Sequence, residues 1–332
     1  MMSLLSASAG PIDWLSMGLG FLAGLVLFIY SVTLLSDCLK EVGGDQVKNI
    51  LSRFTTNRYT GVLTGAVATI AIGSSSITII TVIAMVNAGL LSFVQSLGVV
   101  MGSNIGTTFS SQIFALDAEK YAPLVLLIGF VLKMIHKQGR WHHIGMLTFS
   151  LGMVFFSLGL LGDSMSPLKD YAPFRELLKT LESPWTGVLI GAGFTALIQS
   201  SSATMGIVIV LASQGMMTLP AAVSVMLGAE IGTCGNTLIA TINRSRHAIR
   251  TGVFHLLFNI VTVILGVILV EQIIAFTNWI SGEASLQRKI ANAHMIFNIG
   301  GVLLVVGFSA MIARGLFWLI PQKKNQKKQT LA

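Results

Sequence analysis

Long uncharged apolar stretches alternate with short polar segments along most of the chain. One of them runs from Trp14 to Leu35, about 22 residues, which is long enough to cross the ~30 Å hydrocarbon layer of a membrane. Further stretches of the same character predict crossings at 93–115, 121–138, 142–162, 220–241, 251–271 and 290–315. The pattern therefore predicts an all-α integral membrane protein with seven crossings.

Two other apolar regions, 60–90 and 186–217, are interrupted near their middles by the sequences GSSS and QSSS. Each half is only about 12–15 residues long, which is short for a crossing. We therefore predict that both regions are re-entrant helical hairpins, each entering and leaving the membrane on one side.

The two halves of the chain repeat without a gap at an offset of 126 residues. From Thr60 to Thr107 about 20 of 48 positions are identical to their counterparts. Three predicted crossings lie between the hairpins, and this odd number predicts that the repeats are inverted relative to the membrane. We expect a first repeat over 1–136, a second over 137–271, and an additional helix with a basic tail over 272–332.

Charged residues make up 10% of the 332 residues, against about 25% in ordinary soluble domains, and the formal net charge is +8. We expect the protein to lie in the plasma membrane. The positive-inside rule then places its N-terminus outside the cell and its C-terminus in the cytoplasm. The inner segments then carry 15 of the 21 basic residues: Lys40, Lys48, Arg53, Arg58, Lys133, Lys137, Arg140, Arg244, Arg246, Arg250, Arg314, Lys323, Lys324, Lys327 and Lys328. Topology and lipid contact thus explain the basic excess without a nucleic acid.

The interruptions carry candidate chemistry. Irregular backbone at membrane depth is tolerated only where protein buries it or where it lines a wet cavity. After each break a second half-helix begins, near Ile77 and near Ala203, and a helix N-terminus favours an anion. Serine hydroxyls add donors for a tetrahedral oxyanion, while hydroxyl, amide and carbonyl oxygens suit Na⁺. A lone serine-rich kink is usually helix packing, but a duplicated one favours a binding site, as in transporters built from inverted repeats.

A second pair of elements follows the hairpins, GSNIGT at 102–107 and GAEIGT at 228–233. Their glycines predict breaks within the spans 93–115 and 220–241, and their Asn, Glu and Thr side chains offer oxygen ligands. Each repeat would then bring two broken elements to similar depth.

Basic side chains are missing from the two segments that contain the serine triplets and the elements that follow them. The segment 59–116 has no charged residue, and in 183–243 the only one is Glu230. Helix dipoles contribute only about half a charge each, so bound cations are the natural partners of a bound anion. Anion and Na⁺ would each lower the other's cost of leaving water. Glu230 itself could be neutral and hydrogen-bonded without a role, although intramembrane carboxylates are usually functional.

A separate motif, H-[LM]-[LI]-F-N, occurs at His255–Asn259 and His294–Asn298. Its His and Asn share a helix face. Hydrogen bonding between helices is the first interpretation, and cation or proton coupling is the second. Haem or metal ligation would need a third cluster of ligands.

With its two serine triplets and the elements that follow them, the sequence resembles the type II sodium–phosphate cotransporter family, which carries two QSSS motifs in inverted repeats, each followed by a G-x-N-I-G-T-type element. The resemblance covers roughly 14–315 and implies Na⁺-coupled transport of inorganic phosphate, with no cofactor and no transition metal. The residues assigned to phosphate are Ser74, Ser75, Ser76, Ser200, Ser201, Ser202 and Asn104. Those assigned to sodium binding or coupling are Gln199, Thr78, Thr204, Thr107, Thr108, Thr233 and Glu230.

The chain departs from that family pattern at three positions. Gly73 replaces a Gln, Glu230 an Asn and Cys234 a Thr. A carboxylate at 230 could hold Na⁺ or carry a proton. Many bacterial relatives carry a regulator-like domain at the C-terminus, whereas this sequence ends shortly after Lys328, so we expect that regulation to be absent or supplied by another protein. A homodimer is also compatible with the sequence.

Three alternatives remain at this point. The transporter could carry another oxyanion such as sulfate, coupled to sodium or protons. The protein could be a membrane sensor that binds phosphate without moving it. It could also be an intramembrane hydrolase with a serine nucleophile, although no acid is evident to orient a histidine base.

Overall fold

The computed structural model describes residues 12–322, and this part of the chain is helical. Its α-helices are α1 (Trp14–Phe54), α2 (Arg58–Ile72), α3 (Ser75–Asn87), α4 (Phe93–Phe114), α5 (Ala122–Ile135), α6 (Arg140–Met165), α7 (Ala172–Thr180), α8 (Pro184–Ile198), α9 (Ser201–Ser213), α10 (Leu219–Gly232), α11 (Cys234–Ile239), α12 (Arg246–Ile268), α13 (Val270–Ser281), α14 (Leu286–Val306) and α15 (Ser309–Leu319). The prediction of an all-α fold is confirmed.

Within residues 12–322, five helical stretches are long and apolar enough to cross a membrane, as a multi-pass membrane protein requires. They are Trp14–Gly44, Arg140–Leu168, Leu219–Ile239, Arg246–Ile268 and Leu286–Val306. The pair α7–α8, bent by 101°, would add a sixth. Two predicted crossings correspond to α4 and α5, which are not among these stretches: α4 carries Gln, Ser, Asn and Thr along its length, and α5 has only 14 residues. The count of seven crossings stays a prediction.

Helix boundaries recur at the spacing of the sequence repeat. Helices α2 and α8 begin and end 126 residues apart, and so do α3 and α9. In the same register, α4 corresponds to α10 followed by α11. Helices α1 and α6 cross so that the hydroxyls of Ser31 and Ser157, themselves 126 residues apart, lie 3.4 Å from each other. Equivalent positions of the two halves therefore meet where α1 and α6 cross. The inverted orientation of the two halves relative to the membrane stays a prediction.

The predicted break within 93–115 is wrong, because α4 is one continuous helix. Gly102 and Gly106 serve packing instead of interruption. A Cβ atom at Gly102 would overlap the carbonyl oxygen of Val62 in α2, so only glycine lets the two helices approach this closely.

The second repeat uses its glycines in the same way. Cβ atoms at Gly228 and Gly232 would overlap backbone atoms of α8. Here the helix is interrupted, but only at Thr233, where α10 ends and α11 begins.

The last predicted span, 290–315, is two helices. Helix α14 ends at Val306 and α15 begins at Ser309. Arg250 of α12, which is 1% exposed, holds the end of α15: its Nε and Nη2 donate to the carbonyl of Ile320 at 3.0 and 2.6 Å. Its guanidinium also lies 4.2 Å from the ring centroid of Phe317. At the other end of the chain, α1 continues well beyond the predicted boundary at Leu35.

Candidate functional site

Each hairpin turns at a residue in the left-handed backbone conformation. Gly73 follows α2 with φ 72°, and Gln199 follows α8 with φ 64°. Glycine adopts this conformation freely, whereas a side chain there costs about 1–2 kcal/mol. In the second hairpin the Oγ1 atoms of Thr195 and Thr204 are 2.7 Å apart across the turn. The chain therefore bends at this turn, and α9 contacts α8.

The first serine of each triplet is a helix cap. Ser74 Oγ accepts a hydrogen bond from the Ile77 N–H at 3.3 Å, and Ser200 Oγ accepts one from the Ala203 N–H at 3.2 Å. Each hydroxyl oxygen thereby satisfies one of the free N–H groups at the start of α3 or α9. These two serines fix where the second half-helices begin.

The other four serines keep their hydroxyls free. Within residues 12–322, the hydroxyls of Ser75, Ser76, Ser201 and Ser202 have no hydrogen-bond partner. Ser75 and Ser201 are each 7% exposed. All four lie in the first turn of their helix, where backbone N–H groups also lack intrahelical partners. Two clusters of donors are therefore available to an anion.

Threonine side chains supply oxygen near both breaks. Thr78 Oγ1 donates to the Ser74 carbonyl at 3.0 Å, and Thr204 Oγ1 donates to the Ser200 carbonyl at 3.2 Å. Thr69, the counterpart of Thr195, has a buried Oγ1 that lacks a partner among the described residues. The remaining predicted threonines bond to carbonyls of their own helices at 3.1, 2.7 and 2.9 Å: Thr107, Thr108 and Thr233. The lone pairs of these hydroxyl oxygens can still accept a hydrogen bond or coordinate a cation.

A buried polar cluster forms around the equivalent positions Asn104 of α4 and Glu230 of α10. Asn104 Nδ2 donates to Asn259 Oδ1 at 2.6 Å. Asn259 Nδ2 in turn lies 3.1 Å from the Glu230 carbonyl and 3.0 Å from His255 Nε2. His255 Nδ1 lies 2.8 Å from Thr237 Oγ1. Helix α12 thus connects both repeats through one asparagine.

Helix α14 completes the cluster at the Glu230 carboxylate. His294 Nε2 lies 2.9 Å from Glu230 Oε1, and Asn298 Nδ2 donates to the same oxygen at 2.8 Å. His294 Nδ1 lies 2.8 Å from Ser111 Oγ of α4. Glu230 is 5% exposed and His294 is 2% exposed, so this ion-pair geometry is buried.

The cluster lies between the second helices of the two hairpins. Helix α4, which carries Asn104, packs against both α3 and α9. Helix α12 contacts α3, and α14 contacts α9. Among the described residues, no hydrogen bond joins the cluster to the six serines of the triplets.

The exposure of the two turns differs. Gln199 is exposed, and its carbonyl accepts a hydrogen bond from Asn236 Nδ2 at 3.4 Å. Gly73 borders a cavity of about 310 Å³ whose polar lining includes Ser36, Ser110 and Thr148. The first turn is therefore half-buried beside a cavity, whereas the second turn is exposed.

Six residues of the cluster were not among the predicted site residues: Ser111, Thr237, His255, Asn259, His294 and Asn298. The repeated H-[LM]-[LI]-F-N motif was the signal for four of them, and its first interpretation, hydrogen bonding between helices, is what the structure has. Nothing in the sequence singles out Ser111, because its role depends on how α4 and α14 pack.

The sequence model of a family described as Na⁺/Pi-cotransporter matches residues 27–163 and 170–313. The chain is 29% identical over 306 residues to "Uncharacterized protein YqeW" of Bacillus subtilis, covering 92% of this chain and 99% of that protein. It is 24% identical over 302 residues to "Putative inorganic phosphate export protein YjbB" of Salmonella typhimurium, covering 89% of this chain but only 54% of that longer protein.

A shorter similarity extends to a mammalian protein. The chain is 34% identical over 97 residues to "Sodium-dependent phosphate transport protein 2A" of Mus musculus, which is 29% of this chain and 15% of that protein. No solved structure matches the chain. The family match covers most of both halves, including both serine triplets and the Glu230 cluster. The chain therefore belongs to the Na⁺/Pi-cotransporter family.

Proposed function

We propose that the protein is a secondary transporter that moves inorganic phosphate together with Na⁺ across the plasma membrane, without covalent chemistry. The observation that carries this proposal is the pair of donor clusters at the starts of α3 and α9. Each cluster combines two hydroxyls that lack a hydrogen-bond partner within residues 12–322 with free backbone N–H groups, which suits a tetrahedral oxyanion.

Charge supports the coupling to a cation. Helices α3 and α9, which carry the serines, have no Lys or Arg, and Glu230 adds a negative charge; Lys40 and Lys48 of α1 line a separate cavity with Ile72 and Ile77, which flank the first break. A buried anion without a counter-charge is costly. We propose that Na⁺ supplies the counter-charge, held by hydroxyl and carbonyl oxygens such as Thr69 Oγ1, which is buried and has no hydrogen-bond partner in the described part of the chain.

Two relatives are both named for phosphate transport: the name of the Salmonella typhimurium protein specifies export, and the name of the Mus musculus protein specifies dependence on sodium. A symporter runs in either direction according to its gradients. We therefore propose that this chain couples the two ions stoichiometrically and that the gradients set the direction of net flux.

The test is phosphate flux in proteoliposomes with defined ions on both sides. Radioactive phosphate uptake should follow an imposed Na⁺ gradient, reverse when the gradient is reversed, and persist weakly or not at all when choline replaces Na⁺. Sulfate should compete poorly, because hydroxyl acceptors favour an anion that can itself donate a hydrogen bond. Flux that ignores Na⁺ would reject the coupling, and binding without flux would indicate a sensor.

A second candidate arises from the order Ser111–His294–Glu230, because a serine, a histidine and a carboxylate in hydrogen-bond contact resemble a hydrolase triad. Ser111 is, however, 1% exposed and packed inside the bundle, where no substrate carbonyl can reach it. Covalent labelling of Ser111 by a fluorophosphonate probe would favour the hydrolase; we expect none.

A further inference from the structure

A long apolar groove runs along the bundle between α12 on one side and α14 and α15 on the other. Its volume is about 610 Å³. Phe254, Phe258 and Val305 are buried and form its floor, whereas Val261 and Phe308 on its rim are exposed. The groove is therefore open to whatever surrounds the bundle.

The groove lies at membrane depth. Helices α12 and α14 are both long and apolar enough to cross a membrane. The lining residues extend along α12 from Phe254 to Leu269, which corresponds to about 22 Å at a rise of 1.5 Å per residue. One leaflet contributes about 15 Å of the ~30 Å hydrocarbon layer. The groove is thus long enough for an acyl chain of one leaflet to lie along it.

The side chains that line the groove favour a lipid chain over a helix of a second copy. Close helix contacts in membranes use small residues, and α12 and α14 pack in this way where Gly301 faces Thr262 and where Gly266 faces Phe297. Among the described residues, the groove is lined only by Phe, Leu, Val, Ile and Met. These bulky side chains keep another helix at a distance, whereas a flexible acyl chain can fill the space between them.

One end of the groove carries a guanidinium group with unused donors. The antiparallel register of α12 and α14 brings Phe308 to the level of Phe254. Arg58, at the start of α2, donates from Nη1 to the Gly307 carbonyl and to Ser309 Oγ, on either side of Phe308, both at 3.4 Å. In the described part of the chain, its Nε and Nη2 have no hydrogen-bond partner. These two nitrogens form a fork that matches two oxygens of a phosphate group.

A second basic residue lies near the same end. Arg314 of α15 is exposed and follows Met311, which lines the groove, by three residues. Residues three apart share a helix face. Both arginines belong to segments that the positive-inside rule assigns to the cytoplasm, and the cytoplasmic leaflet attracts basic segments through its anionic lipids. The groove and the two arginines therefore match the chain and the headgroup of one lipid.

We propose that this groove binds one anionic phospholipid of the cytoplasmic leaflet, with its phosphate on Arg58 and an acyl chain between α12 and the α14–α15 pair. The chain covers Phe254 and Phe258, while His255 and Asn259 of the same helix bond into the polar cluster. The lipid thereby holds α12 in place from the side opposite the cluster and stabilises the fold. This inference does not depend on the proposed transport function.

The first experiment measures lipid binding to the full chain purified in detergent. Native mass spectrometry counts the lipids retained by each chain as phosphatidylglycerol or phosphatidylcholine with identical acyl chains is added, and thermal unfolding is followed in parallel. A single phosphatidylglycerol should be retained and should raise the melting temperature. Phosphatidylcholine should bind about 10-fold or more weakly, because its headgroup has no net negative charge to offer the two arginines.

Headgroup variants test the role of the guanidinium group. Arg58→Gln removes the fork and should weaken phosphatidylglycerol binding about 10-fold or more. Arg58→Lys keeps the charge without the fork and should give an intermediate affinity. Arg53→Gln is the matched control, because Arg53 is exposed at the end of α1 and contacts the ring of Phe54; it should bind phosphatidylglycerol as the wild type does. Melting without lipid shows whether each variant is folded.

Chain variants test the groove itself. Val261→Trp places a large side chain in the groove and should abolish retention of phosphatidylglycerol. Val131→Trp is the matched control, because Val131 of α5 lies outside the groove and is 42% exposed, against 47% for Val261. It should leave lipid retention unchanged.

Four results would overturn the inference. Equal affinity of the wild type for the two lipids would do so without any variant. Unchanged phosphatidylglycerol binding in Arg58→Gln would remove the headgroup site, and equal retention in the two tryptophan variants would remove the chain site. A dimer that Val261→Trp disrupts would assign the groove to a second copy. Absence of phosphate flux would reject only the proposed transport.

Discussion

Ser75 and Ser201 offer the sharpest separation between ligand binding and folding. Each is almost fully buried, yet each hydroxyl lacks a hydrogen-bond partner among the described residues. Replacement by alanine therefore removes a contact that only a ligand would use. A hydrogen bond to a charged group contributes about 1.5–3 kcal/mol, so each substitution should weaken the Kd for phosphate about 10- to 150-fold.

The neighbouring cap serines are the matched controls. Ser74 and Ser200 already use their oxygens to cap α3 and α9. Their replacement by alanine should lower the free energy of unfolding by about 0.5–2 kcal/mol. Ser75→Ala and Ser201→Ala should leave thermal stability nearly unchanged.

The assay is equilibrium binding of radioactive phosphate to purified protein in Na⁺ buffer, paired with thermal unfolding of each variant. If one anion contacts both hairpins, the double variant should show a coupling energy between Ser75 and Ser201. Wild-type phosphate affinity in both single variants would refute the reasoning. So would strictly additive effects of the two substitutions, because independent effects would indicate two separate sites.

Three further predictions concern packing, pH and the end of the helical bundle. Gly191→Ala should destabilise the fold by about 1–3 kcal/mol, because its Cβ would overlap backbone atoms of α10, whereas Gly193→Ala, with open space around it, should be neutral or stabilising by up to about 1 kcal/mol. Burial raises the pKa of the Glu119 carboxyl. Its contribution to the free energy of unfolding therefore falls as the pH rises from the ordinary pKa of a glutamate to the raised pKa of Glu119. Glu119→Gln should raise the melting temperature at about pH 7 and change it little at about pH 4. Arg250→Gln removes the hydrogen bonds from Arg250 to the Ile320 carbonyl, so it should lower the free energy of unfolding by about 1.5–3 kcal/mol. It should also loosen α15, which would be measured as faster proteolysis after Ile320.

Each of these has a clear opposing result. Equal stability of the two glycine variants would mean that α8 and α10 are not in close contact. A melting temperature of Glu119→Gln that falls at neutral pH would mean that the carboxylate is stabilising there. Unchanged proteolysis in Arg250→Gln would show that other contacts hold α15.

The sequence predicts the two helix breaks well because their signal is local, and the re-entrant course of the two regions stays a prediction. A helix that must stop at Gly73 and restart at Ser74 needs a residue compatible with positive φ followed by a capping serine, and both are visible in the sequence. Repetition at an offset of 126 then locates the second hairpin, and the serines at the helix starts are located with it.

The errors arise where one residue type serves two purposes. Glycine breaks helices in water, but in a membrane bundle it also lets two helices pack closely together. Gly102 does not break α4 but allows its close contact with α2. The partner of Glu230 could not be predicted, because His294 lies 64 residues away and reaches it only through the packing of α14 on α10. A motif shows that such residues are repeated; only tertiary contacts show what they touch.

The most direct test of the central claim is a structure of the protein with phosphate and Na⁺ bound. The account predicts one tetrahedral anion in contact with Ser75 or Ser76 on α3 and with Ser201 or Ser202 on α9, with cation density beside it and no basic side chain within hydrogen-bond distance. Phosphate bound at only one hairpin, or held by a lysine or arginine, would contradict the account.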